Sequence, residues 1–192
     1  MAEEEPQPFE ELLEGMKKAA GVLKDAGVPF LVGGGVAVWA RGGPETGHDV
    51  DFFVKPGDAE RALQAFESAG WKTDKPPEGW LYKAFDDQGA MVDLIFGPSA
   101  GDITDEHFDR AEELEVNAVR MQVSSLEDVM VTKLLAITEQ EPDFDGVLES
   151  ARSVREQIDW DDVRERTSES PLAKGFFTMV EELGVVPAQK KN

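Results

Sequence analysis

The chain has 192 residues, 41% of them hydrophobic, enough for one domain with a real core or one domain with a helical appendage. Its net charge of −21 repels phosphate backbones and no Lys/Arg-dense patch offsets it, which argues against extended nucleic-acid binding. The absence of cysteine excludes disulfides, thiolate-bound zinc and thiol catalysis, and two histidines, His48 and His107, are too few for a histidine-rich metal site.

Residues 1–6 read as disordered, and their acidity is the opposite of a signal peptide's basic start. Phe9, Leu12, Met16, Ala19, Ala20 and Leu23 recur every three or four residues, predicting an amphipathic helix that Gly27 ends. Residues 28–32 then read as a strand, Gly33, Gly34 and Gly35 together with 36–41 as a short helix, and 49–54 as a second strand. The nearly apolar run 28–40 is broken by proline and glycines and is too short to span a bilayer, so a cytoplasmic protein without a membrane partner is expected. Pro56 opens a helix with Ala62, Leu63, Phe66 and Ala69 on one face, stopped by Gly70. Residues 80–96 read as a hairpin turning at 86–90, and 118–123 as a further strand. Ser125 and Asp128 have capping-box spacing before a helix over 129–137. Helices follow at 144–157, 160–167 and 172–183, so a mixed α/β part to residue 123 precedes an all-helical part; Lys190 and Lys191 read as a frayed tail.

Three carboxylates stand out. Asp49 and Asp51 alternate with apolar residues, so both point to one face of their strand, about 7 Å apart along it. Asp93 lies in a second apolar strand, 91–96. An acidic residue two positions from another is weak by itself, because 40 Asp plus Glu in 192 residues give roughly eight such pairs by chance. Carboxylates within apolar strands are different, since they are unfavourable there unless something pairs with them. The plain alternative has Asp49 at the strand start and Asp51 and Asp93 facing water. If the two strands are neighbours, the three carboxylates can share a pocket, and without His or Cys they favour a hard cation, above all Mg²⁺. Paired ions of this kind serve phosphoryl and nucleotidyl displacement.

The glycines let the backbone approach a phosphate closely. They are not a P-loop, because no Gly-Lys-Ser/Thr follows, and a dinucleotide fingerprint is disfavoured by Val38 at its last position. Lys133, in an apolar helix stripe, either snorkels to water or reaches a triphosphate. His48 and Arg41 read as solvent-facing residues, with substrate or phosphate contact as the alternative. Trp39, Trp71, Trp80 and Trp160 read as core or cleft wall.

Gly34 and Gly35, then Asp49-Val50-Asp51-Phe52, then Asp93 together resemble the nucleotidyltransferase superfamily of the DNA polymerase β type, in particular its small bacterial members. Residues 125–136, with Lys133, are similar to a lysine-bearing helix that follows the catalytic half in relatives. The later Lys-Asp signature of relatives has only Glu141, Asp143 and Asp145 here, without its lysine. The resemblance implies an α+β fold, a small mixed β-sheet flanked by helices and followed by a C-terminal helical region. It divides the chain into a catalytic domain at 7–123 and a helical region at 124–187. It further implies catalysis by Asp49, Asp51 and Asp93, the same three residues as ligands of Mg²⁺, and nucleotide contacts from Gly34, Gly35 and Lys133. The implied reaction moves NMP from an NTP to the hydroxyl of a small-molecule or macromolecular acceptor, releasing pyrophosphate. The alternative is a weak or inactive nucleotide-binding or protein-interaction module of the same fold, with a toxin–antitoxin role as one version. No residue pattern points to an oligomeric state, a preferred base or a particular acceptor.

Overall fold

A computed structural model describes residues 8–46, 49–140, 142 and 144–188. The expectations placed on residues 1–6, His48, Glu141, Asp143, Lys190 and Lys191 fall outside these. The first helix, α1 (Phe9–Asp25), buries Leu12, Leu13, Met16, Ala19, Ala20 and Leu23 along one stripe. Gly27, at φ +63°, turns the chain out of it. Then come β1 (Leu31–Val32), α2 (Gly34–Trp39), β2 (Val50–Phe53) and α3 (Pro56–Ser68). The expected strand at 28–32 is thus shorter. The short helix includes Gly34 and Gly35 as expected and ends two residues before the expected 41.

β3 (Lys72–Asp74), β4 (Leu81–Phe85) and β5 (Met91–Ile95) follow, then α4 (Asp105–Asp109), β6 (Glu112–Val116) and β7 (Val119–Val123). The seven strands form one mixed sheet in the order β3-β4-β5-β2-β1-β7-β6. Pairing is antiparallel except for β2 with β5 and β1 with β7. The fold is therefore α+β. β3, α4 and β6 were not expected from the sequence. β6 is an edge strand whose Glu112, Glu113 and Glu115 are exposed, so its composition reads as a charged loop. Its hairpin to β7 turns through Asn117 and Ala118, both at positive φ, where the usual signal would be Asn-Gly.

One face of the sheet carries Val50, Phe52, Ala84, Val92 and Leu94 into the main core, together with the apolar stripes of α1 and α3. The other carries Leu31, Phe53, Leu81 and Ile95, which form a smaller cluster with Ile103 and Phe108. Strand alternation assigns Asp51, Lys83 and Asp93 to this second face.

The remaining helices are α5 (Leu126–Ala136), α6 (Asp145–Val154), α7 (Trp160–Arg166) and α8 (Pro171–Glu182), with a 3₁₀ turn at Arg155–Gln157. α5 and α6 pack on α2, and α7 and α8 pack on α5. α5 starts three residues earlier than expected, directly after Ser125, whose hydroxyl accepts from the Asp128 amide at 3.1 Å. The Asp128 carboxylate does not close the reciprocal half of a capping box. It is 1% exposed and accepts from Arg110 on its Nε and a terminal nitrogen, at 3.1 and 2.9 Å, and from Arg166. Among the described residues no helix is long and apolar enough to cross a membrane.

Asp128 therefore ties α7 and the residue after α4 to the start of α5. Its carboxyl lies below the ordinary carboxylate range: burial opposes this, and the two guanidiniums outweigh it. Asp128→Ala leaves two arginines facing an apolar gap and is expected to lower stability by about 3 kcal/mol, measured by denaturant unfolding at neutral pH. A loss below about 0.5 kcal/mol would show that the arginines find other partners.

Candidate active site

The local chemistry begins with strand register. Asp51 of β2 stands beside Asp93 of β5, and Asp93 stands opposite Lys83 of β4. Lys83, Asp93 and Asp51 thus form a row across three adjacent strands, and Asp49 lies two residues before Asp51. One oxygen from each of Asp49, Asp51 and Asp93 lies within 4.8 Å of the others. Asp93 is buried, Asp49 and Asp51 half-buried.

The glycine turn closes the side opposite Lys83. The Gly33 amide donates to the Asp51 carbonyl oxygen at 2.8 Å, continuing the sheet by one bond. Gly34 has φ +52°, and a Cβ there would lie 1.6 Å from Asp51 Oδ2. A Cβ on Gly35 would come within 2.7 Å of the Thr46 side chain. Glycine at position 34 is required both by backbone conformation and by the closeness of the Asp51 carboxylate.

Crowding of negative charge has a measurable consequence. Burial, then Asp49, then Asp93 push the Asp51 carboxyl up to about 7, against the opposing pull of Lys133 and Lys83. Asp93 is also raised by burial, and its ion pair with Lys83 works the other way. Lys133, half-buried on α5, acts on Asp51 through its field. The donor set is three hard oxygen ligands with less positive charge around them than they carry negative. Such a set fits a divalent oxygen-seeking cation, which would restore ionisation of Asp51.

Lys83 is the site residue that the sequence reading missed. Its Nζ donates to both Asp93 oxygens, at 2.7 and 2.8 Å. The signal was present: a hairpin turning at 86–90 pairs residue 93 with residue 83. Arg41 does not project into solvent. It folds back onto the Ala37 carbonyl and pairs with Glu112. His107 accepts from the Thr104 amide as the cap of α4. Trp160 is buried and Trp39 and Trp71 half-buried, but Trp80 is exposed.

Solved structures with a similar fold include nucleotidyltransferase-like proteins and antibiotic-modifying factors. The antibiotic-resistance factor ANT(2'')-Ia is 15% identical, with a TM-score of 0.65 over 92% of this chain and 98% of that one. An antigenic nucleotidyltransferase-like protein from Paracoccidioides brasiliensis is 13% identical, with a TM-score of 0.57 over 95% and 96% of the two chains. The lincosamide antibiotic adenylyltransferase LnuA, in its lincomycin-bound structure, is 12% identical, with a TM-score of 0.50 over 70% and 94%. At such identities the likeness establishes the nucleotidyltransferase fold. The sequence itself goes further: residues 12–174 match the family described as "Nucleotidyl transferase of unknown function (DUF2204)", and the chain belongs to that family. No curated protein matches the sequence.

Asp51 supplies a pH signature. Its carboxyl titrates near 7 when folded and near the ordinary 3.8 when unfolded, so the stability it contributes is complete below about pH 4 and is lost as pH rises to about 7. In metal-free buffer Asp51→Asn is therefore expected to gain on the wild type between pH 4 and pH 7, by a few kcal/mol. Paired unfolding curves across that range check this; a difference independent of pH would refute the raised carboxyl. Gly34→Ala is expected to displace Asp51 and remove the same pH dependence.

Proposed function

We propose that this protein is a Mg²⁺-dependent nucleotidyltransferase, moving NMP from an NTP to an acceptor hydroxyl with release of pyrophosphate. The observation that carries the proposal is the convergence of Asp49, Asp51 and Asp93 within 4.8 Å beside a glycine turn, in a chain of a nucleotidyl transferase family. Asp49, Asp51 and Asp93 are the residues that would hold the ion. When bound, the ion supplies Lewis-acid polarisation and charge neutralisation at the triphosphate.

The remaining work falls to the chain's own groups. Backbone at Gly34 and Gly35, free of Cβ atoms, gives the triphosphate room to lie against the turn. Lys133, half-buried on α5, contributes positive charge that acts on Asp51 and is available to the triphosphate. Asp93 accepts the proton of the acceptor hydroxyl, whose oxygen bonds to the α-phosphorus as the bond to the bridging oxygen breaks and pyrophosphate leaves. Its raised proton affinity suits a base better than an ordinary carboxylate would.

A small hydroxylated acceptor is favoured over a polynucleotide. The net charge of −21 opposes a phosphate backbone. Two proteins with this fold have been solved with small-molecule ligands, ANT(2'')-Ia with adenylyl-2''-tobramycin and LnuA with lincomycin.

Calorimetry with ATP, CTP, GTP and UTP, with and without Mg²⁺, tests the reading. At least one NTP is expected to bind only with the metal, and Asp49→Ala and Asp51→Ala are each expected to abolish that binding. Asp93→Ala is expected to retain NTP binding within a few fold and to lose transfer of label by at least about a hundredfold, as removal of a general base does. Metal-independent binding, or none, would instead favour an inactive module of the same fold.

A further inference from the structure

Lys83 has no role in the chemistry proposed above, yet it makes the tightest contact in the site. We infer that Lys83 is a fixed internal cation standing in for a second divalent ion, so that the carboxylate site takes one divalent ion rather than two. The inference rests on the nucleotidyl-transfer reading and narrows it.

Position is the first argument. The sheet order places β4 and β2 on opposite sides of β5, so Asp93 has Lys83 on one flank and Asp51 on the other. Lys83 Nζ lies 2.7 and 2.8 Å from the two Asp93 oxygens, and 3.8 Å from Met91 Sδ. An ion held by Asp51 and Asp93 would draw on the flank of Asp93 away from the ammonium. A second ion drawing on the Asp93 fork would have to approach where the ammonium already sits, and Mg²⁺ demands oxygen ligands at about 2.1 Å in near-octahedral order.

Charge is the second argument. Three ionised carboxylates carry −3, and Lys83 and Lys133 together carry +2, leaving −1, which a single divalent ion already outweighs. The Lys83 and Asp93 side chains are 26% and 9% exposed, so water screens the pair little and a second divalent ion beside the ammonium would be repelled strongly.

Backbone register is the third. Residues 83 and 93 are a directly opposed pair in an antiparallel hairpin, so the ammonium cannot leave Asp93 without changing its own rotamer. A lysine that merely stabilises the hairpin would have no influence on how many ions bind, and this separates the two roles.

The test is an ion count. Mn²⁺ alone is titrated into the full chain, with free ion read by electron paramagnetic resonance. Ions on the acidic surface are subtracted using the Asp49→Ala/Asp51→Ala double variant. Wild type is expected to bind one ion above that blank, Lys83→Met two, and Lys83→Arg one; circular dichroism melts establish that each variant is folded. Lys83→Gln serves in place of Lys83→Met if the latter does not fold. Two ions in the wild type would overturn the inference and leave the nucleotidyl-transfer reading intact, as would one ion in every lysine variant. No ion above the blank in any protein would overturn the metal-dependent reading itself.

Discussion

Parallel pairing of β2 with β5 sets Asp51 directly beside Asp93, and the rest of the site is organised around the repulsion this creates. Two carboxylates on adjacent strands, with Asp49 joining them, are an unfavourable arrangement in a partly buried place. The molecule answers it in three ways. Lys83 neutralises Asp93 from the neighbouring strand, Lys133 contributes its field from α5, and Asp51 is held protonated up to about pH 7. What is left over is a demand for positive charge, and a family of nucleotidyl transferases supplies the chemical context in which that demand is useful.

The glycine turn belongs to the same constraint. Asp51 faces the turn so closely that position 34 has no space for a side chain, and the backbone there adopts a conformation that glycine accepts without strain. The turn then runs directly into α2, on which α5 and α6 pack. Helices from the C-terminal part therefore support the element next to the carboxylates. Lys133 comes to the site from the same support, on α5.

A second ionic arrangement holds this support in place. Asp128, buried at the start of α5, gathers Arg110 and Arg166 from segments far apart in the chain. The carboxylate is satisfied several times over and ionises readily. Asp51 is held back first by burial and then by Asp49 and Asp93, which Lys133 and Lys83 only partly offset. Burial raises the proton affinity of both aspartates; two guanidiniums outweigh it at Asp128, whereas Asp49 and Asp93 add to it at Asp51.

Much of this was legible in the residues. Apolar periodicity located α1, α3 and α8, and the glycine run marked the turn. Aspartates among apolar strand residues marked Asp49, Asp51 and Asp93, because side-chain alternation and the penalty for burying charge are local properties. Elements whose composition or length misleads were missed: β6, acidic because it lies at the sheet edge, β3, three residues at the other edge, and α4, five residues long. The sequence alone determined which groups are available and the period that puts two of them on one strand face. Only the tertiary structure decided that β2 and β5 are neighbours, that Asp128 meets two distant arginines, and that Lys83 lies on Asp93. Those pairings join strands and helices separated by many residues, and long-range contact is set by how the whole core packs rather than by any local pattern.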